Sequence, residues 1–103
     1  SSYVDWVGTD FYSKFPNFTG LERFYRAYAG KPFAFGEWAM WGADRPAFVR
    51  QLFSWAARRS SVRMLLYNQG NNERGPFRLF RFPASTQALR SILSSSRFSA
   101  FSP

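Results

Sequence analysis

The sequence predicts an α/β protein whose strands lie parallel. Three stretches with strand character, beginning near Tyr3, Phe33 and Val62, alternate with three stretches whose apolar residues recur at helical spacing. The turns from helix back to strand are short, and consecutive strand–helix–strand units of this kind place their strands parallel through right-handed crossovers. The middle strand, Phe33-Ala34-Phe35-Gly36-Glu37, stays apolar until its last residue, as strands covered on both faces do.

Each element has its own signal. Tyr3 to Asp10 is aromatic and β-branched and ends in a polar cluster. Pro16 and Asn17 open a loop, and Thr19-Gly20-Leu21-Glu22 has capping-box spacing, with Thr19 as N-cap and Glu22 reaching back. Leu21, Phe24, Tyr25 and Tyr28 then fall at helical spacing, and Gly30-Lys31-Pro32 stops the helix. Beyond the second strand, Asp44 is placed to cap the next helix, with Pro46 in its first turn. Phe48, Val49, Leu52, Phe53 and Ala56 form that helix's inner stripe, which ends at Arg58-Arg59. Val62 to Tyr67 is the third strand, and residues 68–76 form a Gly/Asn-rich loop. A third helix starts near Pro83 and buries Leu89, Ile92 and Leu93. The Ser-rich residues 94–103, with Phe98 and Phe101, read as a tail lying on the outside.

A chain of 103 residues is one domain or a piece of one. A three-stranded parallel sheet standing alone leaves two apolar edge strands unpaired. A (β/α)₈ barrel takes about 250 residues, and three of its eight units scale to roughly 95 of them. Residues 1–103 are therefore expected to be the last three units of such a barrel, strands six to eight. Its missing N-terminal part would then be their partner. A small free-standing α/β domain is the alternative.

Composition narrows the chemistry. The chain has no Cys and no His, which removes Ser-His-Asp and Cys-His catalysis, disulfide scaffolds and most zinc sites. No metal or cofactor is expected. No apolar run is long enough to span a membrane, and no signal peptide is expected within these residues. Aromatic residues make up 21% of the chain, 13 of them Phe, which implies a thick core, an aromatic-lined cleft, or both. The net charge of +8 raises nucleic-acid binding. The arginines are scattered, however, with several on polar helix faces, so solvated faces are the expectation and no nucleic-acid partner is.

The most informative residue is Glu37. In β/α folds ligands bind and chemistry sits at the carboxyl ends of the strands, and a carboxylate is costly to bury there unless something needs it. Asp10 ends the first strand with Tyr12 just beyond it, Trp38 and Trp41 follow Glu37, and Tyr67 ends the third with Asn68 just after it. Glu37, Asp10, Tyr12, Trp38, Tyr67 and Asn68 are expected on one face, and at least one of Trp38 and Trp41 in the cleft. Tryptophan rings stack on the apolar faces of sugars, which makes a sugar-processing site the leading reading.

Val4-Asp5-Trp6-Val7-Gly8-Thr9-Asp10-Phe11-Tyr12-Ser13, Lys31-Pro32-Phe33-Ala34-Phe35-Gly36-Glu37-Trp38-Ala39 and Val62-Arg63-Met64-Leu65-Leu66-Tyr67-Asn68 together resemble strands six, seven and eight of a clan A glycoside hydrolase. The resemblance is nearest to glycoside hydrolase family 26, the β-mannanase and related β-glucanase family, with its bacterial relatives. It covers about the first 70 residues. It implies that Glu37 is the nucleophile and that the Tyr12 hydroxyl orients it. Asp10, Trp38, Trp41, Tyr67 and Asn68 would then meet a polysaccharide or oligosaccharide substrate of a secreted enzyme. In the family the acid/base glutamate ends strand four, which this chain lacks. Its eighth strand also ends Tyr67-Asn68-Gln69-Gly70, where many members carry an aromatic platform.

Plainer roles stand beside these. Glu37 is alternatively a structural carboxylate paired with an arginine, Asp10 a loop cap, Tyr12 a rim ring, and Trp38 or Trp41 packing. Asn17-Phe18-Thr19 matches a glycosylation sequon, although Thr19 already has a capping use. A competing class is a non-catalytic, basic and aromatic module binding polysaccharide or single-stranded nucleic acid. A retaining glycosidase needs two carboxyl groups about 5–5.5 Å apart, and no second acid is well placed. The chain by itself is therefore expected not to hydrolyse glycosides.

Overall fold

In a computed structural model, which describes residues 6–70, 75–95 and 98, the chain alternates strand and helix. The order is β1 (Val7–Tyr12), α1 (Phe18–Ala27), β2 (Phe33–Ala39), α2 (Pro46–Ala57), β3 (Val62–Tyr67), a single 3₁₀ turn (Leu79–Arg81) and α3 (Pro83–Ser95). The strands form one parallel sheet in the order β1-β2-β3, so the α/β class expected from the sequence holds. The expected start of the first strand lies outside the described residues. Both β1 and β2 run two residues further at their carboxyl ends than the sequence suggests, to Tyr12 and Ala39.

All three helices pack on one face of the sheet. Val7, Phe11, Phe33, Phe35, Trp38 and Val62 from the strands share a single buried cluster with Leu21 of α1, Phe48, Leu52 and Trp55 of α2, and Leu89 of α3. Rings meet largely edge to face, as Phe33 does with Tyr25, Phe35 and Trp55, the arrangement their quadrupoles prefer. Burying each such ring stabilises the fold by about 1.5–3 kcal/mol, so this layer dominates stability. The other face is thinly covered: Gly8, Asp10 and Glu37 are exposed there, and so are Met64 and Leu66.

One irregularity decides which face Glu37 joins. Thr9 pairs with Phe35, but the next residue, Asp10, pairs with Glu37. Gly36 is thus an extra residue in β2, a β-bulge. On the other side Phe35 pairs with Leu65 and Trp38 with Tyr67, so Gly36 and Glu37 together oppose Leu66. Side chains alternate along a strand, so an unbulged β2 would put Phe33, Phe35 and Glu37 on the helix face. With the bulge, Phe33, Phe35, Trp38 and Met40 face the helices, buried to 1% or less, while Glu37 turns to the open face.

Two capping expectations are corrected. Asn17, not Thr19, is the N-cap of α1, its side-chain oxygen accepting from Gly20 N–H at 2.9 Å. Glu22 does not reach back. It ties α1 to α2, accepting from Trp55 Nε1 at 3.1 Å and Arg59 Nε at 3.0 Å while pairing with Arg26. Asp44 does not cap α2 either, whose N-cap position is Arg45 without a side-chain bond. It caps α3 instead, accepting from Ala84 N–H at 2.9 Å, Ser85 N–H at 2.8 Å and the buried Ser85 hydroxyl at 2.5 Å. The helix predicted from Pro83 does begin there and runs to Ser95, into the stretch read as tail; beyond it Phe98 packs edge-on against Phe53.

These carboxylates make stability depend on pH. The Arg26 guanidinium, aided by Arg59 and Trp55 and opposed by burial, lowers the Glu22 pKa. For Asp44 burial pushes upward, but the bonds from Ser85 and Ala84 outweigh it and the pKa falls. A carboxylate lowered in the folded state contributes fully above its unfolded pKa, and that contribution is lost as pH falls through the folded value. Asp44→Ala should cost about 1–3 kcal/mol at neutral pH, from the lost cap and the unsatisfied Ser85 hydroxyl. Asp44→Asn should cost less and flatten the acid limb of the stability curve. Urea midpoints across pH check both, and an unchanged midpoint in Asp44→Ala would contradict the cap.

Candidate active site

The site lies at the carboxyl ends of the three strands. Asp10 and Tyr12 share one face of β1, and Asp10 is the register partner of Glu37. The gap between them is floored by Gly36, where an added Cβ would stand 3.9 Å from Asp10 Oδ1. Absence of a side chain there keeps the space between the two carboxylates open. The Tyr12 hydroxyl donates to Glu37 Oε2 at 2.6 Å, a short, charge-assisted distance. It fixes one carboxylate oxygen and leaves Oε1 without that bond. Glu37 forms no ion pair with an arginine among the described residues.

Tyr12 carries the electrostatic mark of this contact. Its pKa is raised, first by the hydrogen bond to Glu37, then by burial and by the charges of Glu37 and Asp10, against a lowering contact from the Asn68 side chain. Asn68 stands one residue beyond β3. Its backbone N–H donates to Trp38 O at 2.9 Å, and its side-chain oxygen accepts from Gly70 N–H at 2.9 Å. With that oxygen committed to the turn at Gly70, whose φ of 77° suits glycine, the amide is the end left for Tyr12. Asp10, Tyr12, Glu37 and Asn68 therefore gather as expected.

Trp38 and Tyr67 do not join them. Trp38 is 1% exposed and packs on the helix face against Phe53 and Tyr67, which leaves no ring face for a sugar. Tyr67 meets Trp38 edge-on at 4.8 Å, and its hydroxyl is filled by backbone: it accepts from Met40 N–H at 3.1 Å and donates to Phe77 O at 2.6 Å. Burial pushes its pKa up to about 12. Both residues brace the site from behind, because the bulge sends Trp38 to the face opposite Glu37.

Trp41 is half-buried and does reach the site. Its backbone N–H donates to the buried Ser13 hydroxyl at 2.8 Å, and its ring lies 5.8 Å from Tyr12. Two neighbours were not singled out from sequence. Phe77, from the β3–α3 loop, sits 5.5 Å from the Tyr12 ring and 5.2 Å from Trp41. Lys14 places its ammonium 4.6 Å from the Trp41 ring. A lone aromatic directly after Pro76 in an otherwise Gly/Asn-rich loop was the available signal for Phe77.

A carboxylate fixed by a tyrosine hydroxyl, open on one side and flanked by aromatic rings, is equipped to attack an electrophilic carbon or to bind a polar ligand against an apolar surface. No protein-family model, curated protein or solved structure matches this chain.

The Tyr12–Glu37 contact is directly testable. In Glu37→Gln the hydrogen bond to a carboxylate that chiefly raises Tyr12 is lost, and the negative charge with it, so one tyrosine should titrate at lower pH than in wild type, while Tyr67 stays near 12. Tyrosinate absorbance with Tyr12→Phe as the assignment control reads this. An unchanged Tyr12 titration would mean that the two side chains do not meet.

Proposed function

We propose that this chain carries the nucleophile half of a retaining β-glycosidase site, acting on a β-linked polysaccharide such as a mannan or glucan. Glu37 is the nucleophile and Tyr12 orients it. The observation that supports this best is the 2.6 Å hydrogen bond from the Tyr12 hydroxyl to Glu37 Oε2, made between the ends of two adjacent parallel strands. Attack by the other oxygen on the anomeric carbon gives a glycosyl-enzyme ester, which water then hydrolyses with retention. Asp10 and Asn68 offer polar contacts to sugar hydroxyls, and Trp41 an apolar one.

The acid that protonates the leaving group belongs, on this reading, to an earlier strand of a (β/α)₈ barrel of which these are units six to eight. Support comes from the sheet itself. Its order is sequential, its helices cover one face only, and Met64 and Leu66 stand exposed on the other, 40% and 50% accessible. That face is where the barrel interior would be. Among the described acids, Glu22 and Asp44 are committed to helix contacts, which leaves Asp10 as the only other carboxylate near Glu37. A secreted location follows from a polymeric substrate. The binding-module alternative has less behind it, because Arg26 and Arg59 pair with Glu22, and the rings Arg59 lies over, Trp55 and Tyr25, belong to the helix layer and not to the strand ends.

The chain alone should give no turnover of mannan, mixed-linkage glucan or aryl glycosides, since general acid help of this kind is worth about 10²–10⁴-fold. In a protein that supplies the upstream strands, an activated 2-deoxy-2-fluoro-β-glycoside needs no protonation to react and should label Glu37, found by peptide mass spectrometry. Tyr12→Phe should slow the labelling at least about tenfold. Label on another carboxylate, or turnover by Glu37→Ala, would remove Glu37 from the role.

A further inference from the structure

We infer that Trp41 and Phe77 form an aromatic corner that binds one pyranose ring of the substrate beside Glu37, with Phe77 as its specificity-determining wall. This rests on the glycosidase reading and names the subsite that reading leaves undefined. The two rings stand at 87° with centroids 5.2 Å apart. One can therefore offer its face as a floor while the other stands as a side wall. Both are half-buried and so retain open surface. Each also contacts Tyr12, at 5.8 Å and 5.5 Å, and Tyr12 touches Glu37, so the corner begins one side chain away from the reacting carboxylate.

The corner is held in place rather than formed by chance collapse of exposed rings. Phe77 O accepts the Tyr67 hydroxyl proton at 2.6 Å, and that hydroxyl is itself fixed by Met40 N–H. Phe77 Cδ2 approaches the backbone of Gly70, 3.7 Å from where a Cβ would lie. Leu79 N–H donates to Gln69 Oε1 at 2.9 Å, closing the loop two residues further on. On the other ring, Ser13 fixes the Trp41 backbone. Lys14 lies over part of the Trp41 ring, so Phe77 supplies aromatic surface that Trp41 cannot offer alone.

The chemistry selects the ligand. A pyranose whose hydroxyls are mostly equatorial exposes axial C–H groups on its faces, an apolar plane matched to an aromatic ring, while the edge hydroxyls remain for Asp10 and Asn68. Gluco- and manno-configured β-linked chains have such faces.

The test is titration of this chain with β-1,4-linked mannohexaose and cellohexaose, following the Trp41 indole N–H by NMR, assigned with Trp41→Phe. At least one hexaose should shift that signal. Phe77→Leu, which keeps apolar bulk and removes the aromatic face, should weaken binding by roughly three- to tenfold. Phe80→Ala, at a nearby ring that is 69% exposed and outside the corner, should bind like wild type. Phe77→Leu binding as tightly as wild type, equal weakening by Phe80→Ala, or no hexaose shifting the Trp41 signal would each overturn the subsite. Glu37 labelling with normal binding by Phe77→Leu would remove the corner and leave the glycosidase reading standing. Binding at the corner without Glu37 labelling would do the reverse.

Discussion

The bulge at Gly36 is the constraint on which the site depends. A strand alternates its faces strictly, and β2 must place Phe33 and Phe35 among the helices, where they are 1% and 0% exposed. Without one extra residue, Glu37 would follow them into an aromatic core, at a cost of several kcal/mol unless paired there. The bulge reverses the alternation after Phe35. Trp38 and Met40 continue the core, and Glu37 emerges beside Asp10 and under the Tyr12 hydroxyl. Bulges are found next to active sites because they re-aim a side chain. Here one glycine reconciles a packed strand with a usable carboxylate at its end.

The same reversal divides the aromatic residues into two populations. On the helix side Phe33, Phe35, Trp38, Phe48 and Trp55 form the continuous core. At the carboxyl end Tyr12, Trp41 and Phe77 form a second group, in contact with one another and only partly buried. Tyr67 joins the two, with its ring on Trp38 and its hydroxyl on the backbones of Met40 and Phe77. The core thus fixes the site through specific bonds as well as by supporting the sheet. The helix side is also tied laterally, by Glu22 between α1 and α2 and by Asp44 between the α2 entry and α3.

Much of this was legible in the sequence. Apolar runs ending in polar residues marked the strands and their carboxyl ends, which is why Asp10, Tyr12, Glu37 and Asn68 could be placed together. Trp38 was misplaced because the bulge is a pairing event between strands, although a glycine inside a strand is a known sign of one. Asp44 was assigned to the nearer helix because capping rules are local, whereas its partners are 40 and 41 residues away in sequence. Thr19 yielded to Asn17 by a shift of the α1 start, the least determined feature of any helix. Phe77 escaped because its role arises from ring contacts with residues 65 and 36 positions earlier, which no local pattern encodes.

The most direct measurement is the set of nuclear Overhauser contacts from the Glu37 γ-methylene protons in the labelled chain. If the bulge turns Glu37 to the open face, those protons should contact the Tyr12 ring and show nothing to Phe35 or Trp55. Contacts to the Phe35 and Trp55 rings, with none to Tyr12, would mean that β2 is unbulged, and Glu37 could not then serve the site.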